Sequence, residues 1–204
     1  MFNGRGTNKK AGKMDCDDKS FWVFGYGSLM WNPEFEFAER VPATLVDYAR
    51  SFCMWSIHHR GSLEVPGLVL ALDREAGSTC RGLAYRVSGG GAQETLERLR
   101  ERELVSSAYL ENTVPLILDD GRTVQSLAYI VDRTHVQYTG AMSHDAQADV
   151  IARATGGRGP NYEYLFNTAL HLAELGMEDT DLNQLVALVR RRMSLHSCDP
   201  SVRS

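Results

Sequence analysis

Two glycines bracket Tyr26 in the run Phe24-Gly-Tyr-Gly-Ser-Leu-Met-Trp31. Glycine lets a backbone turn sharply and come close to a ligand. Successive N–H groups in such a turn form a concavity that holds a carboxylate or phosphate. The competing reading is a turn that ends a strand and holds nothing, because glycine pairs are ordinary punctuation. Familiar motifs do not fit. A dinucleotide fingerprint requires a third glycine where Met30 stands, and no Gly-Lys-Ser/Thr of a P-loop occurs. Ser28 is no hydrolase elbow, because Tyr26 takes the place of the first glycine in G-x-S-x-G. The loop reads as an anion cradle of another class.

Glu103 is the second candidate. At about 100° per residue, with Leu96 at zero, Leu99 falls near −60° and Leu104 near about +80°, which defines an apolar stripe. Glu94, Glu97 and Glu101 fall on the outer side, at about 100° to 160°, where carboxylates belong. Glu103 falls near about −20°, inside the stripe. A carboxylate there is partly desolvated, which raises its pKa and suits it to proton transfer. Alternatively Arg100, three residues back, pairs with it and makes it structural. Tyr109, six residues on, supplies a phenol near the same place or packs in the core with its hydroxyl bonded. The third cluster is Gly156-Gly-Arg-Gly-Pro-Asn-Tyr-Glu-Tyr-Leu165. It opens a helix through Pro160 and Asn161, either as an anion contact or as plain helix initiation.

The elements that must position these groups follow from periodicity. Phe21–Phe24 reads as a buried strand, and short strands follow at 43–47, 51–57, 68–72 and 82–87. A helix spans 92–105, and strands at 113–118 and 123–131 are joined by Asp119-Asp-Gly121, a hairpin turn by its residues. Helices follow at 146–154, 161–175 and 181–193, with Gly176 capping the middle one. A mostly antiparallel sheet with late helices is an α+β fold. The expected organisation is a disordered tail over 1–20, one domain over 21–193 and a flexible C-terminal tail over 194–204.

At 204 residues and 43% apolar content the chain can bury one full core. A net charge of −4 gives no reason to expect nucleic acid, and no stretch has the length of a membrane span. Arg190-Arg-Arg192 reads as a solvated helix end. Cys16, Cys53, Cys80 and Cys198 share no C-x-x-C spacing, which suits reduced thiols and a cytoplasmic location. Adjacent His58 and His59 point to opposite faces of a strand, so no metal site is expected.

Taken together, Phe24-Gly-Tyr-Gly-Ser-Leu-Met-Trp31, Arg102-Glu103 with Tyr109, and Ala154-x-Gly-x-x-Gly-x-Asn-Tyr-Glu-Tyr-Leu165 resemble the ChaC family of γ-glutamylcyclotransferases. Pro66–Leu70, Arg81–Tyr85 and Ala128–Val131 extend the match over roughly Phe21 to Met193. The resemblance implies a small, mostly antiparallel sheet or barrel with flanking helices and a helical C-terminal part. It implies cleavage of glutathione into 5-oxoproline and cysteinylglycine, with Glu103 as general acid/base and neither cofactor nor metal. The substrate-binding residues it implies are Val23, Phe24, Gly25, Tyr26, Gly27, Ser28, Tyr109, Asn161 and Tyr164. The partner is then a small molecule, glutathione, with no nucleic acid and no membrane; monomer and weak dimer both stay open. One departure is visible: family members often carry glycine near Ser107 and Ala108, where this chain has none.

Other readings remain at this level. Arg60, Arg158 and Asn161 are alternative contacts for the cysteinylglycine half. A binding domain without catalysis, a cyclotransferase for other γ-glutamyl compounds, and a hydrolase using Cys53 or Cys80 are the rival functions.

Overall fold

The computed structural model describes residues 20–104 and 107–197. Five strands close into a barrel in the order β1-β3-β2-β4-β5. They are β1 (Phe21–Gly25), β2 (Glu39–Ser56), β3 (Gly67–Val87), β4 (Tyr109–Leu118) and β5 (Thr123–Val131). All neighbours are antiparallel except β1 and β5, whose parallel pairing of Trp22 with Ser126 and Val23 with Leu127 closes the barrel. Helix α1 (Ala92–Glu103) packs outside, and α2 (His144–Ile151), α3 (Asn161–Glu174) and α4 (Thr180–Ser197) form the helical C-terminal part. The fold is α+β, as expected. Among the described residues no helix is long and apolar enough to cross a membrane.

Strand β1 reads as an unbroken apolar run because both its faces are buried. Phe24 points into the barrel with Leu45, Leu72, Ala84 and Leu116. Val23 points outward, where it packs with Val87, Leu99 and Tyr129. The core then continues outward into Ile151, Leu165, Leu172 and Val189 of the C-terminal helices.

Four short strands expected between 43 and 87 are two long ones, β2 and β3, paired from Glu39–Arg86 to Ser56–Gly67. The polar stretch after Leu72 does not end the strand. The ladder slips there, from Val46–Thr79 to Tyr48–Arg74, and Asp47 adopts φ 64. A bulge of this kind bends a strand without ending it, and exposed polar residues on the solvent side disguise the pairing. Strand β4 begins at Tyr109, four residues earlier than expected, and β5 spans the expected range. The Asp-Gly turn forms with Gly121 at φ 89, and Gly176 at φ 67 ends α3 as anticipated.

Helix α1 ends at Glu103; its expected end, Val105, lies outside the described residues. Helix α4 runs to Ser197, so the first four residues of the tail expected over 194–204 are helical, and 198–204 lie outside the described residues. The tail expected over 1–20 is described only at Ser20. Arg192 is no solvated helix end: it pairs with Asp145 at 2.5 Å and Asp149 at 2.8 Å, pinning α4 to α2.

Three glycines, Gly61, Gly67 and Gly156, meet where the β2–β3 connection touches the loop before α3. A Cβ on Gly61 would lie 2.0 Å from the nitrogen of Gly67, and one on Gly156 would lie 2.5 Å from the nitrogen of Gly61. On Gly67 it would fall 2.1 Å from the carbonyl oxygen of Arg60 and 2.7 Å from Oδ1 of Asn161. Backbone therefore packs on backbone here, and only glycine fits. Gly67→Ala is expected to cost about 3 kcal/mol and lower the melting temperature by roughly 6–12 °C. Gly90→Ala, where a Cβ meets nothing within 4 Å, should change it little. Equal melting curves for the two variants in a calorimetric comparison would refute this packing.

Candidate active site

A cavity of about 230 Å3 opens at one end of the barrel. One wall is the turn after β1, formed by Tyr26, Gly27, Ser28 and Leu29. Glu103, the last residue of α1, faces it with Tyr109, while Tyr164 comes from α3 and Tyr129 from β5. The rim is His59, Arg60 and Arg158.

The glycine turn is held from three sides. The Tyr85 hydroxyl lies 3.0 Å from the carbonyls of both Leu29 and Met30. Tyr26 donates its hydroxyl to the Tyr129 carbonyl at 2.9 Å. Arg50 donates to the Tyr26 carbonyl at 2.8 Å and pairs with Asp179 at 2.9 Å. Ser28–Met30 form one turn of 3-10 helix, closed by the Met30 N–H on the Gly27 carbonyl at 2.8 Å. The leading N–H groups of such a turn, those of Ser28 and Leu29, have no intrahelical acceptor.

Glu103 is largely buried, with 18% of its side chain exposed. Burial pushes its pKa above the ordinary carboxylate value. The adjacent Arg102 guanidinium opposes that shift, and Glu34 adds to it. Arg102 Nε lies 3.2 Å from Glu103 Oε1. The same guanidinium donates to Ser28 Oγ, the Asn32 carbonyl and Glu34 Oε2, each at 3.0 Å. One cation thus joins the end of α1 to the glycine turn. The alternative pairing with Arg100 does not occur. Arg100 reaches across to Glu111 on β4 with a two-pronged contact of 2.9 and 2.7 Å, a geometry that suits guanidinium and carboxylate better than the reach along its own helix.

Four phenols surround the carboxylate. Burial raises the pKa of Tyr26, Tyr109, Tyr129 and Tyr164, and the Glu103 charge contributes to the rise in each. Tyr164 is pushed up to about 12. All four therefore remain neutral donors at physiological pH. The Tyr109 hydroxyl donates to the Leu70 carbonyl at 3.3 Å, so Tyr109 is both packed and part of the cavity wall. Before it, Ser107 takes φ 55, a conformation that glycine adopts more cheaply.

Of the residues expected to bind substrate, Tyr26, Gly27, Ser28, Tyr109 and Tyr164 line the cavity with Glu103. Val23, Phe24 and Gly25 do not; they form the strand that carries the turn. Asn161 does not either. It is fully buried, its Oδ1 accepts from the Leu68 N–H at 2.6 Å, and its Nδ2 donates to the Leu68 carbonyl at 2.7 Å. Its own N–H donates to the Ala154 carbonyl at 2.9 Å, so the start of α3 is helix initiation rather than an anion contact. Leu29, Tyr129, His59, Val69 and Leu70 are the lining residues missed by inspection of the sequence. Strand pairing brings Val69, Leu70 and Tyr129 to the cavity, while Leu29 follows Ser28 in the same turn and His59 lies in the β2–β3 connection. Cys53 and Cys80 are buried, and neither lines it. Burial pushes the Cys53 thiol up to about 12 and raises that of Cys80, so neither is an activated nucleophile.

This barrel and turn define a γ-glutamyl cyclotransferase fold. The crystal structure of the glutathione-specific enzyme from yeast matches with a TM-score of 0.75 and 26% identity, over 85% of this chain and 99% of that one. The profile of the ChaC-like protein family matches residues 21–192, and the chain belongs to that family. It is 40% identical over 178 residues to the glutathione-specific gamma-glutamylcyclotransferase of Escherichia coli K12, covering 87% of this chain and 76% of that protein. Glutathione-specific gamma-glutamylcyclotransferase 1 of Homo sapiens is 32% identical over 177 residues, covering 86% of this chain and 79% of that protein.

A 13C-detected titration of the Glu103 carboxyl is expected to show a midpoint above that of an ordinary glutamate. Arg102 favours the charged form, so Arg102→Gln should move the midpoint further up. A downward move would contradict the assigned geometry.

Proposed function

We propose that this chain converts glutathione to 5-oxoproline and cysteinylglycine, with Glu103 carrying the protons. The observation that carries the reading is one dehydrated carboxylate facing a fixed glycine turn inside a small cavity. Membership of the family and the activity printed for its relatives support it.

The α-amine of a γ-glutamyl group can fold back onto its own γ-carbonyl. Attack forms the N–C bond of a five-membered ring and makes the carbonyl oxygen an oxyanion. Collapse breaks the bond to the cysteine nitrogen. The α-ammonium sheds one proton to solvent before attack and the ring nitrogen another after it. The departing nitrogen gains one as the bond breaks and a second from solvent to leave as an ammonium. Glu103, with its pKa raised by burial, accepts the ring nitrogen's proton and returns it to the leaving amine. No water is consumed, so the products sum to the substrate. Because both reacting groups lie on one molecule, holding them in near-attack geometry supplies much of the acceleration. The Ser28 and Leu29 N–H groups and the Ser28 hydroxyl are the donors for the α-carboxylate or the oxyanion. The neutral phenols of Tyr109 and Tyr164 wall the ring as it closes.

Purified protein incubated with glutathione alone should give equimolar 5-oxoproline and cysteinylglycine by mass spectrometry. Free glutamate would instead mean hydrolysis. Glu103→Gln is expected to lower turnover by roughly 10²–10⁴-fold. Burial holds the folded-state pKa of Glu103 above its unfolded value. Its charge therefore costs nothing below the unfolded pKa, and the cost is complete once pH exceeds the folded one. The amide removes that cost, so the variant should melt at or above the wild-type temperature at pH 7. Near-normal turnover in Glu103→Gln would refute the assignment.

A further inference from the structure

This inference rests on the cyclotransferase reading and concerns the half of the substrate that leaves. Cysteinylglycine ends in a carboxylate, and the cavity rim holds two arginines, Arg60 and Arg158. They are not equivalent. Arg60 is a brace: its Nη1 donates to the Arg158 carbonyl at 2.6 Å and the Pro160 carbonyl at 3.2 Å, and its guanidinium lies 5.4 Å from the centre of the Tyr164 ring. Asn161 has its whole amide committed to Leu68.

Arg158 has the opposite character. Its backbone is fixed at both ends, by its N–H on the His59 carbonyl at 2.9 Å and its carbonyl under Arg60. Its side chain is exposed, lines the cavity and makes no hydrogen bond or ion pair among the described residues. A rigidly mounted guanidinium with five unspent donors is the arrangement that suits a carboxylate ligand. A second, larger groove of about 590 Å3 shares His59, Val69, Glu103 and Tyr109 with the cavity and is walled further out by Trp55, Ile57 and Val136. Its sole arginine among the described residues is Arg102, already bonded to Glu103, Ser28, Asn32 and Glu34. That groove offers a terminal carboxylate no free guanidinium.

We propose that Arg158 binds the C-terminal carboxylate of the leaving dipeptide, beside His59, and thereby sets the preference for γ-glutamyl peptides that end in a free acid. Neighbouring positive charge favours the same ligand. Burial first, then Arg158, His58 and Arg60, hold the His59 pKa below its usual value, so that ring stays a neutral donor beside the guanidinium.

The test compares glutathione with its glycine C-terminal amide, using wild type, Arg158→Gln and Arg158→Lys, with 5-oxoproline as readout. Wild type should prefer the acid by about 10-fold or more in kcat/KM, the worth of a charge-assisted hydrogen bond. Arg158→Gln should lose that preference through KM, with kcat/KM for the acid falling to that for the amide, and Arg158→Lys should restore part of it. Because each ratio is taken within one protein, loss of folded material cancels. An unchanged acid-to-amide ratio in Arg158→Gln, as expected for a dipeptide lying in the apolar groove, would overturn the assignment while the cyclotransferase reading stood. Absence of 5-oxoproline from both substrates with wild type would overturn both.

Discussion

A carboxylate withdrawn from water is driven to take up a proton, and a cation beside it drives the proton off. Glu103 lies between these pressures. Burial raises its pKa and Arg102 restrains the rise, so the group can change protonation state without leaving its place. The restraint is shared. Arg102 also bonds Ser28, the Asn32 carbonyl and Glu34, so its charge is divided among several acceptors. A guanidinium bonded to Glu103 alone would hold the carboxylate ionised. The same bonds tie the end of α1 to the glycine turn, so the acidity of the base and its distance from the turn are set by one side chain.

Barrel closure makes that meeting possible. The parallel pairing of β1 with β5 puts the end of β1 beside Tyr129, while Val23 and Leu99 lock α1 to the outside of the same strand. The turn after β1 and the end of α1 then have little freedom to separate. The opposite rim rests first on backbone contact. Gly61, Gly67 and Gly156 bring the β2–β3 connection and the loop before α3 into backbone contact, and Asn161 pairs both its amide groups with Leu68 as an added strand residue would. His59, Arg60 and Arg158 are carried on that junction, so the cationic side of the cavity is as firmly mounted as the acidic side.

Local chemistry was legible in the sequence wherever a residue's role depends on its near neighbours. The periodicity of α1 singled out Glu103, Asp-Gly marked the β4–β5 turn, and Gly176 marked the end of α3. Roles set by long-range pairing were hidden. The β2–β3 ladder looked broken because its slip falls among polar, exposed residues, and periodicity cannot show that a partner strand continues beside them. Arg100 looked like the partner of Glu103 because helix geometry knows nothing of Glu111 on another strand. Asn161 looked like a ligand contact because a buried amide that completes a ladder has the same sequence signature as one that faces a substrate.

The C-terminal helices belong to the site as well as to the core. The Arg50 side chain is almost wholly buried, 4% exposed, and a charge so placed needs partners to offset its lost hydration. Its partners are Asp179, in the connection between α3 and α4, the Tyr26 carbonyl and the Arg81 carbonyl. In a trans peptide the carbonyl and the following N–H point to opposite sides. Pinning the Tyr26 oxygen toward Arg50 therefore turns the Gly27 N–H away from it and fixes the peptide plane at the centre of the turn. Asp179 stabilises the cation that does this. The orientation of the glycine turn thus depends on a residue more than 150 positions away, and the helical C-terminal part is required for a donor geometry that the first strand cannot hold alone.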